Sequence, residues 1–141
     1  CYGQKEFSTP NLDALALNGI RFTQAYSGSP ECAPSRGSLM TGMHMGHCRI
    51  RANSSVRGQD HLLSEDVTVA EVLKGAGYTT GFIGKWGIGL PGTEGTPDKQ
   101  GFDFSYGYYD QGRAHGFFPH YLMRDGKPEP IPENYKFNMM R

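Results

Sequence analysis

Residues 67–89 read VTVAEVLKGAGYTTGFIGKWGIG, and two structural periods meet in them. Thr68 and Glu71 stand three apart, as the two halves of a capping box do. Val69, Val72 and Leu73 fall on one helical face, and Gly77 offers the left-handed stop. The spacing predicts a helix over 68–78 that buries that face. YTTGFIG at 78–84 is a short apolar run and predicts a buried strand. Upstream, STPNLDALALNG at 8–19 predicts another helix, with Thr9 as cap, Pro10 at the first helical position and Gly19 as stop. Leu12, Leu15 and Ala16 share one face of it. IRFTQAY at 20–26 alternates, as a strand does. Strand, helix and strand on short connections make the pattern of an α/β layer fold. After Pro91 the chain is rich in Gly, Pro and Tyr. It predicts surface loops there, with a short strand near Tyr121.

Composition narrows the function. The chain has 141 residues, enough for one modest domain. Lys plus Arg number 14 and Asp plus Glu number 14, so no basic excess argues for nucleic acid. No stretch approaches the apolar length of a membrane span. Twenty glycines predict many loops. Three cysteines, Cys1, Cys32 and Cys48, make neither an even disulfide framework nor a zinc spacing. Asn53-Ser54-Ser55 matches a glycosylation sequon, a triplet too common to carry weight.

The chemistry is concentrated in CAPSRGSLMTG, residues 32–42. A helix is expected to begin near Pro34 or Ser35 and to close at Gly42. Cys32 then lies at a helix start, where unpaired N–H groups and the helix dipole favour an anion. Arg36 adds a cation one turn in. A tetrahedral oxyanion beside a nucleophile suits this set. A buried, inert thiol is the ordinary alternative for a lone cysteine.

The full pattern Cys-x-Pro-Ser-Arg-x-x-Leu-x-Thr-Gly is met by Cys32, Pro34, Ser35, Arg36, Leu39, Thr41 and Gly42. It resembles the signature of the type I sulfatases of the alkaline-phosphatase-like superfamily. TPNLDALALNGIRFTQAY resembles the family's preceding segment, VTVAEVLKGAGYTTGFIGKWGIG its second signature, and KQGFDFSYGYYDQ the stretch that follows. The resemblance covers about residues 1 to 111 and thins out afterwards. It implies an alkaline-phosphatase-like layered α/β fold with a mixed, largely parallel sheet and a site at the carboxyl ends of the strands. It implies that residues 1–141 are the N-terminal part of a sulfatase catalytic domain, truncated at both ends.

The activity implied is hydrolysis of organic sulfate esters. In the family a maturation enzyme reads Cys-x-Pro-x-Arg, here Cys32, Pro34 and Arg36, and oxidises the cysteine to formylglycine. The hydrated aldehyde binds a divalent cation, usually calcium, through one hydroxyl and attacks sulfur with the other, and the alcohol leaves. The hydroxyl that remains unsulfated then expels sulfate and restores the aldehyde. Cys32 is thereby catalytic and a metal ligand. Arg36 steadies the formylglycine, and Lys85 contacts both it and the sulfate oxygens. The partners implied are a sulfated small molecule or glycan and the maturation enzyme. The family is commonly exported or lysosomal, which favours an extracytoplasmic place.

The pattern departs in two places. Many members carry histidine two residues after the lysine; here that position is Gly87, which cannot accept a proton. His115 is a candidate to replace it at the substrate, the alternatives being a base from outside these residues and an ordinary loop histidine at 115. The family's paired aspartates, its Asp-Asn pair and a further histidine and lysine have no counterparts in this chain, so the isolated chain is expected to bind calcium poorly and not to turn over. Alternatives are a phosphoester or phosphonate hydrolase of the same superfamily, or an inactive relative that binds sulfated glycans. GIGLPG at 87–92 fits a dinucleotide fingerprint, but Pro91 and the following residues offer no helix. HMGHC at 44–48 lacks a second ligand pair for a metal. His44 and His47 read as loop histidines, with a substrate role open to them.

Overall fold

The computed structural model describes residues 1–54, 58–116 and 118–132. Three helices come first: α1 (Pro10–Asn18), α2 (Cys32–Thr41) and α3 (Val69–Gly75). Four strands follow: β1 (Gly81–Lys85), β2 (Phe104–Tyr108), β3 (Tyr121–Arg124) and β4 (Lys127–Pro130). They form one mixed sheet in the order β1-β2-β3-β4, with β1 parallel to β2 and the other two pairings antiparallel. In the parallel pair Gly81 faces Phe104 and Lys85 faces Tyr108. The two carboxyl ends therefore lie side by side.

The capping box at α3 forms as the sequence predicts: Glu71 N donates to Thr68 Oγ1 and Thr68 N to the Glu71 carboxylate. Thr68 Oγ1 also donates to Gln100 O at 2.7 Å, tying the helix to the turn before β2. Its buried face differs from expectation. Ala70 is the buried residue, while Val69, Val72 and Leu73 stay exposed. The reason is Gly101, whose missing Cβ would come 2.5 Å from Glu71 N and 2.9 Å from Ala70 C. The turn and helix thus approach through a glycine and an alanine, and the larger side chains face away. Lys74 also pairs with Asp103 at 2.6 Å.

The strand expected at 78–84 forms three residues later and is only half-buried, because β1 has one hydrogen-bonded neighbour in this sheet. The strand expected at 20–26 is absent, and Ile20, Phe22 and Tyr26 are exposed. Alternation marks a ribbon with two faces, but a strand needs a ladder partner, and none of the described pairings supplies one. Helix α1 forms but buries no residue, so Leu12 and Leu15 are also exposed. Thr9 stands at its N-cap without a capping bond. Its hydroxyl reaches Asp13 instead, at 3.3 Å. The short strand near Tyr121 is β3; β2 went unpredicted.

The core lies under β1 and β2. Trp86, Ile88, Tyr109, Met123, Ile50 and Leu62 are its main buried members. Phe82, Trp86 and Phe102 meet edge to face, with ring centroids 5.0 to 5.8 Å apart. Such pairs contribute about 0.5–1.5 kcal/mol each beyond area burial. Trp86 Nε1 donates to Gly95 O at 2.7 Å, so the buried indole is satisfied. This anchors the residue that follows Lys85.

Candidate active site

Helix α2 begins at Cys32, two residues earlier than expected, with Glu31 as its N-cap. Gly42 ends it in the left-handed conformation, φ 66°. Its buried side is Ala33, Pro34, Gly37 and Ser38. Gly37 is required there, since a Cβ would lie 3.0 Å from both Cys48 Sγ and Ile50 Cβ. That docking leaves Cys32 exposed. Arg36 is four residues on, one turn above it on the same helical face.

The helix terminus itself offers an anion less than the sequence suggests. Ala33 N donates to Asn53 Oδ1 at 2.9 Å, Pro34 has no N–H, and Ser35 N donates to Glu31 O at 3.0 Å. Positive charge comes from side chains instead. Arg36 donates from Nε to the Trp86 carbonyl and from Nη2 to Gln111 Oε1 at 2.5 Å. Burial pushes the Arg36 guanidinium below its ordinary value, and its hydrogen bond and charge interaction with Cys32 pull the other way. Lys85, the last residue of β1, is likewise pushed down by burial. Charge at Cys32 raises it and the Arg36 cation lowers it. Cys32, Arg36 and Lys85 are therefore one electrostatic cluster, and no carboxylate is among the causes of either cation's shift.

His115 joins this cluster. It ends a 3-10 turn, Arg113–His115, whose first N–H donates to Asp110 Oδ1 at 2.8 Å. Its Nε2 lies 3.1 Å from Lys85 Nζ. An ammonium has only protons to give, so a charged Lys85 donates and Nε2 accepts. Gly87 is explained by the same packing. Its φ is +67°, and a Cβ would stand 2.5 Å from Arg36 Nη2 and 2.6 Å from Gln111 Oε1. In this chain the Arg36–Gln111 pair fills the space beside position 87.

Other expectations fall away or move. Cys48 is fully buried in the core, so HMGHC is not a metal cluster. His44 lines a separate hollow with Tyr26, Ser35 and Leu39. Gly89 is a close-approach glycine, since its Cβ would collide with the Gly95 backbone at 1.9 Å. Among the described residues no α-helix follows it, which removes the dinucleotide reading. Ser55 of the sequon lies outside the described residues, and Asn53 is engaged with Ala33. Among the described residues no three of His, Cys, Asp or Glu converge as a metal site. No described helix is long and apolar enough to cross a membrane.

Sequence reasoning missed Gln111, Gln59 and Asn53. Gln111 follows directly on the β2 exit in YYDQG, the one hint that it sits at the strand's carboxyl end. Gln59 and Asn53 lie in the irregular polar stretch at 43–67, where no period places a side chain.

A family model for sulfatases matches residues 1–123. The chain belongs to the sulfatase family. Among its sulfatase relatives, human arylsulfatase A is 46% identical over 120 residues, covering 79% of this chain and 23% of that protein. The N-acetylgalactosamine-6-O-sulfatase of Bacteroides thetaiotaomicron is 40% identical over 115 residues, covering 75% and 22%. The chain thus spans about a fifth of the length of these sulfatases. Among solved structures, Ps i-CgsB in complex with k-i-k-neocarrahexaose superposes with a TM-score of 0.72 at 28% identity, over 92% of this chain and 33% of that one. A protein solved with its substrate D-glucosamine-2-N,6-O-disulfate gives 0.69 at 28% identity, over 93% and 24%. The mixed sheet with its helices is the alkaline-phosphatase-like fold of these sulfatase structures.

Proposed function

We propose that this chain supplies the nucleophile and the anion-binding cations of a sulfuric ester hydrolase that uses formylglycine and a divalent cation. One observation carries the reading. Cys32, Arg36 and Lys85 interact electrostatically beside the carboxyl end of β1, and among the described residues neither cation forms an ion pair with a carboxylate. Converted to an aldehyde and hydrated, position 32 supplies an oxygen nucleophile and later a second hydroxyl to release sulfate. Arg36, held by Trp86 and Gln111, also interacts with Cys32. Lys85 places a second cation against the sulfate oxygens, where charge grows in the transition state. His115 Nε2 holds the lysine and stands within reach of protons at the site, a role Gly87 cannot take. The cation is calcium by family resemblance, with position 32 as the one ligand named in this chain.

The substrate is a sulfated small molecule or glycan. A cavity of about 220 Å³ lies along the loop after β2, lined by Tyr108, Asp110, Arg113 and Tyr121 among others. Arg113 lies 4.6 Å over the Tyr121 ring. Aromatic faces with a few polar groups suit the alcohol part of such an ester.

The test is a mass spectrum of the tryptic peptide from Phe22 to Arg36, after expression of the full-length gene with the maturation enzyme. An aldehyde at position 32, reactive toward hydrazides, together with release of sulfate from an aryl sulfate supports the reading. A thiol in every molecule refutes it. Two uncompensated cations also suit a phosphate dianion, so an aryl phosphate cleaved faster than the sulfate moves the phosphoester reading ahead.

A further inference from the structure

We infer that Gln111 is a positioning residue for Arg36, one that fixes the guanidinium without neutralising it. This rests on the sulfatase reading above. A guanidinium has five N–H donors. Two are spent along a single edge: Nε on the Trp86 carbonyl and Nη2 on Gln111 Oε1 at 2.5 Å. Both acceptors are neutral oxygens. The opposite edge is left for position 32 and its anion. Charged acceptors bind arginine more strongly than neutral ones. A carboxylate at 111 would therefore hold Arg36 at least as well, but it would cancel the charge that the sulfate needs.

The glutamine is itself held. It is 6% exposed, and its backbone N–H donates to Gln59 Oε1 at 2.7 Å. Gln59 Nε2 in turn reaches the Tyr109 carbonyl at 3.4 Å. Gly87 leaves the space that the Arg36–Gln111 bond occupies. The amide Nε2 of Gln111 is buried with no partner among the described residues. Buried polar groups are seldom left unpaired. This donor sits on the same carboxamide that holds Arg36, where an oxygen of the bound ester or a water can take it.

The experiment uses the full-length, matured protein and follows aryl sulfate hydrolysis, with thermal unfolding and the position-32 mass spectrum recorded for each variant. Gln111→Leu removes the acceptor at similar volume, and kcat/KM is expected to fall about tenfold or more at every pH. Gln111→Glu is isosteric. Its kcat/KM relative to wild type is expected to fall about 100-fold near neutral pH and to recover only on strong acidification, because the Arg36 cation holds the new carboxyl ionised to lower pH than a free glutamate before it takes a proton and becomes neutral again. A purely structural role gives no such recovery. If Gln111→Leu fails to fold, the pH dependence of Gln111→Glu decides alone. A ratio that stays flat with pH, or Gln111→Leu at wild-type kcat/KM, overturns the inference while an active wild type leaves the sulfatase reading standing. A matured but inactive wild type overturns both.

Discussion

Replacing Gly87 with alanine tests the site's geometry at its tightest point. The backbone there has φ +67°, where a side chain costs about 1–2 kcal/mol. The new methyl would sit 2.5 Å from Arg36 Nη2 and 2.6 Å from Gln111 Oε1. Both atoms end flexible side chains, so the clash is relieved by swinging them apart rather than by moving backbone. What is lost is their hydrogen bond, worth about 1.5–3 kcal/mol when one partner is charged. The total is about 2.5–5 kcal/mol of stability by these two contributions. Activity should suffer more than stability, since the displaced group is the cation nearest position 32. Loss of one such donor lowers kcat about 10²–10³-fold. The assay is aryl sulfate turnover by the full-length, matured protein, with urea unfolding beside it. Gly87→Ala with wild-type kcat and an unchanged unfolding midpoint would refute the claim that the Arg36–Gln111 pair occupies this space.

Three further outcomes follow from the same contacts. Burial holds Lys85 below its ordinary 10.5, so the fold favours loss of its proton, and the charge that the proposed route sets against sulfate disappears at a lower pH than in a free lysine. The alkaline limb of kcat/KM should therefore lie below 10.5 in wild type and vanish in the residual activity of Lys85→Met. Asp103, with Lys74 as the largest cause, is lowered from 3.8 to about 2. A lowered carboxyl stabilises the fold above its unfolded value and loses that effect as pH falls through the folded one. The difference in unfolding midpoint between wild type and Asp103→Asn should accordingly shrink between pH 4 and pH 2; a constant difference contradicts the ion pair's role. Thr68→Ala removes both the cap of α3 and the bond to Gln100 O, and should cost about 2 kcal/mol in urea unfolding, with Thr68→Ser restoring most of it.

Local signals were legible where a residue's role is settled by its own neighbours in sequence. The capping box of Thr68 and Glu71 is one case, and the left-handed stop at Gly42 is another. The pairing of Cys32 with Arg36 on α2 is a third, because four residues make one helical turn. What failed was burial. Val72 and Leu73 carry a helical stripe, yet Ala70 faces the Gly101 turn, and nothing local to 69–75 announces a glycine some thirty residues away. IRFTQAY has strand alternation, but a ladder requires a second chain segment, and period alone does not supply one. The same limit hid Gln111. Its meeting with Arg36 spans 75 residues and depends on the register of β1 with β2. Gly87 looked like the loss of a base; in the structure it is the vacancy that lets a guanidinium and an amide meet.

Pro34 is fully buried, and Arg36 is tethered through both Nε and Nη2. On the proposed route an enzyme must read Cys32, Pro34 and Arg36 together, yet Pro34 is buried and Arg36 is half-buried and tethered once α2 is docked. The order of events is then fixed by accessibility. Oxidation of Cys32 has to come while this segment is still an open peptide, and packing of Pro34 against the core closes the window for good. Sequence changes that speed the docking of α2 would leave more molecules with an unconverted thiol, and a more stable protein would emerge with a lower active fraction.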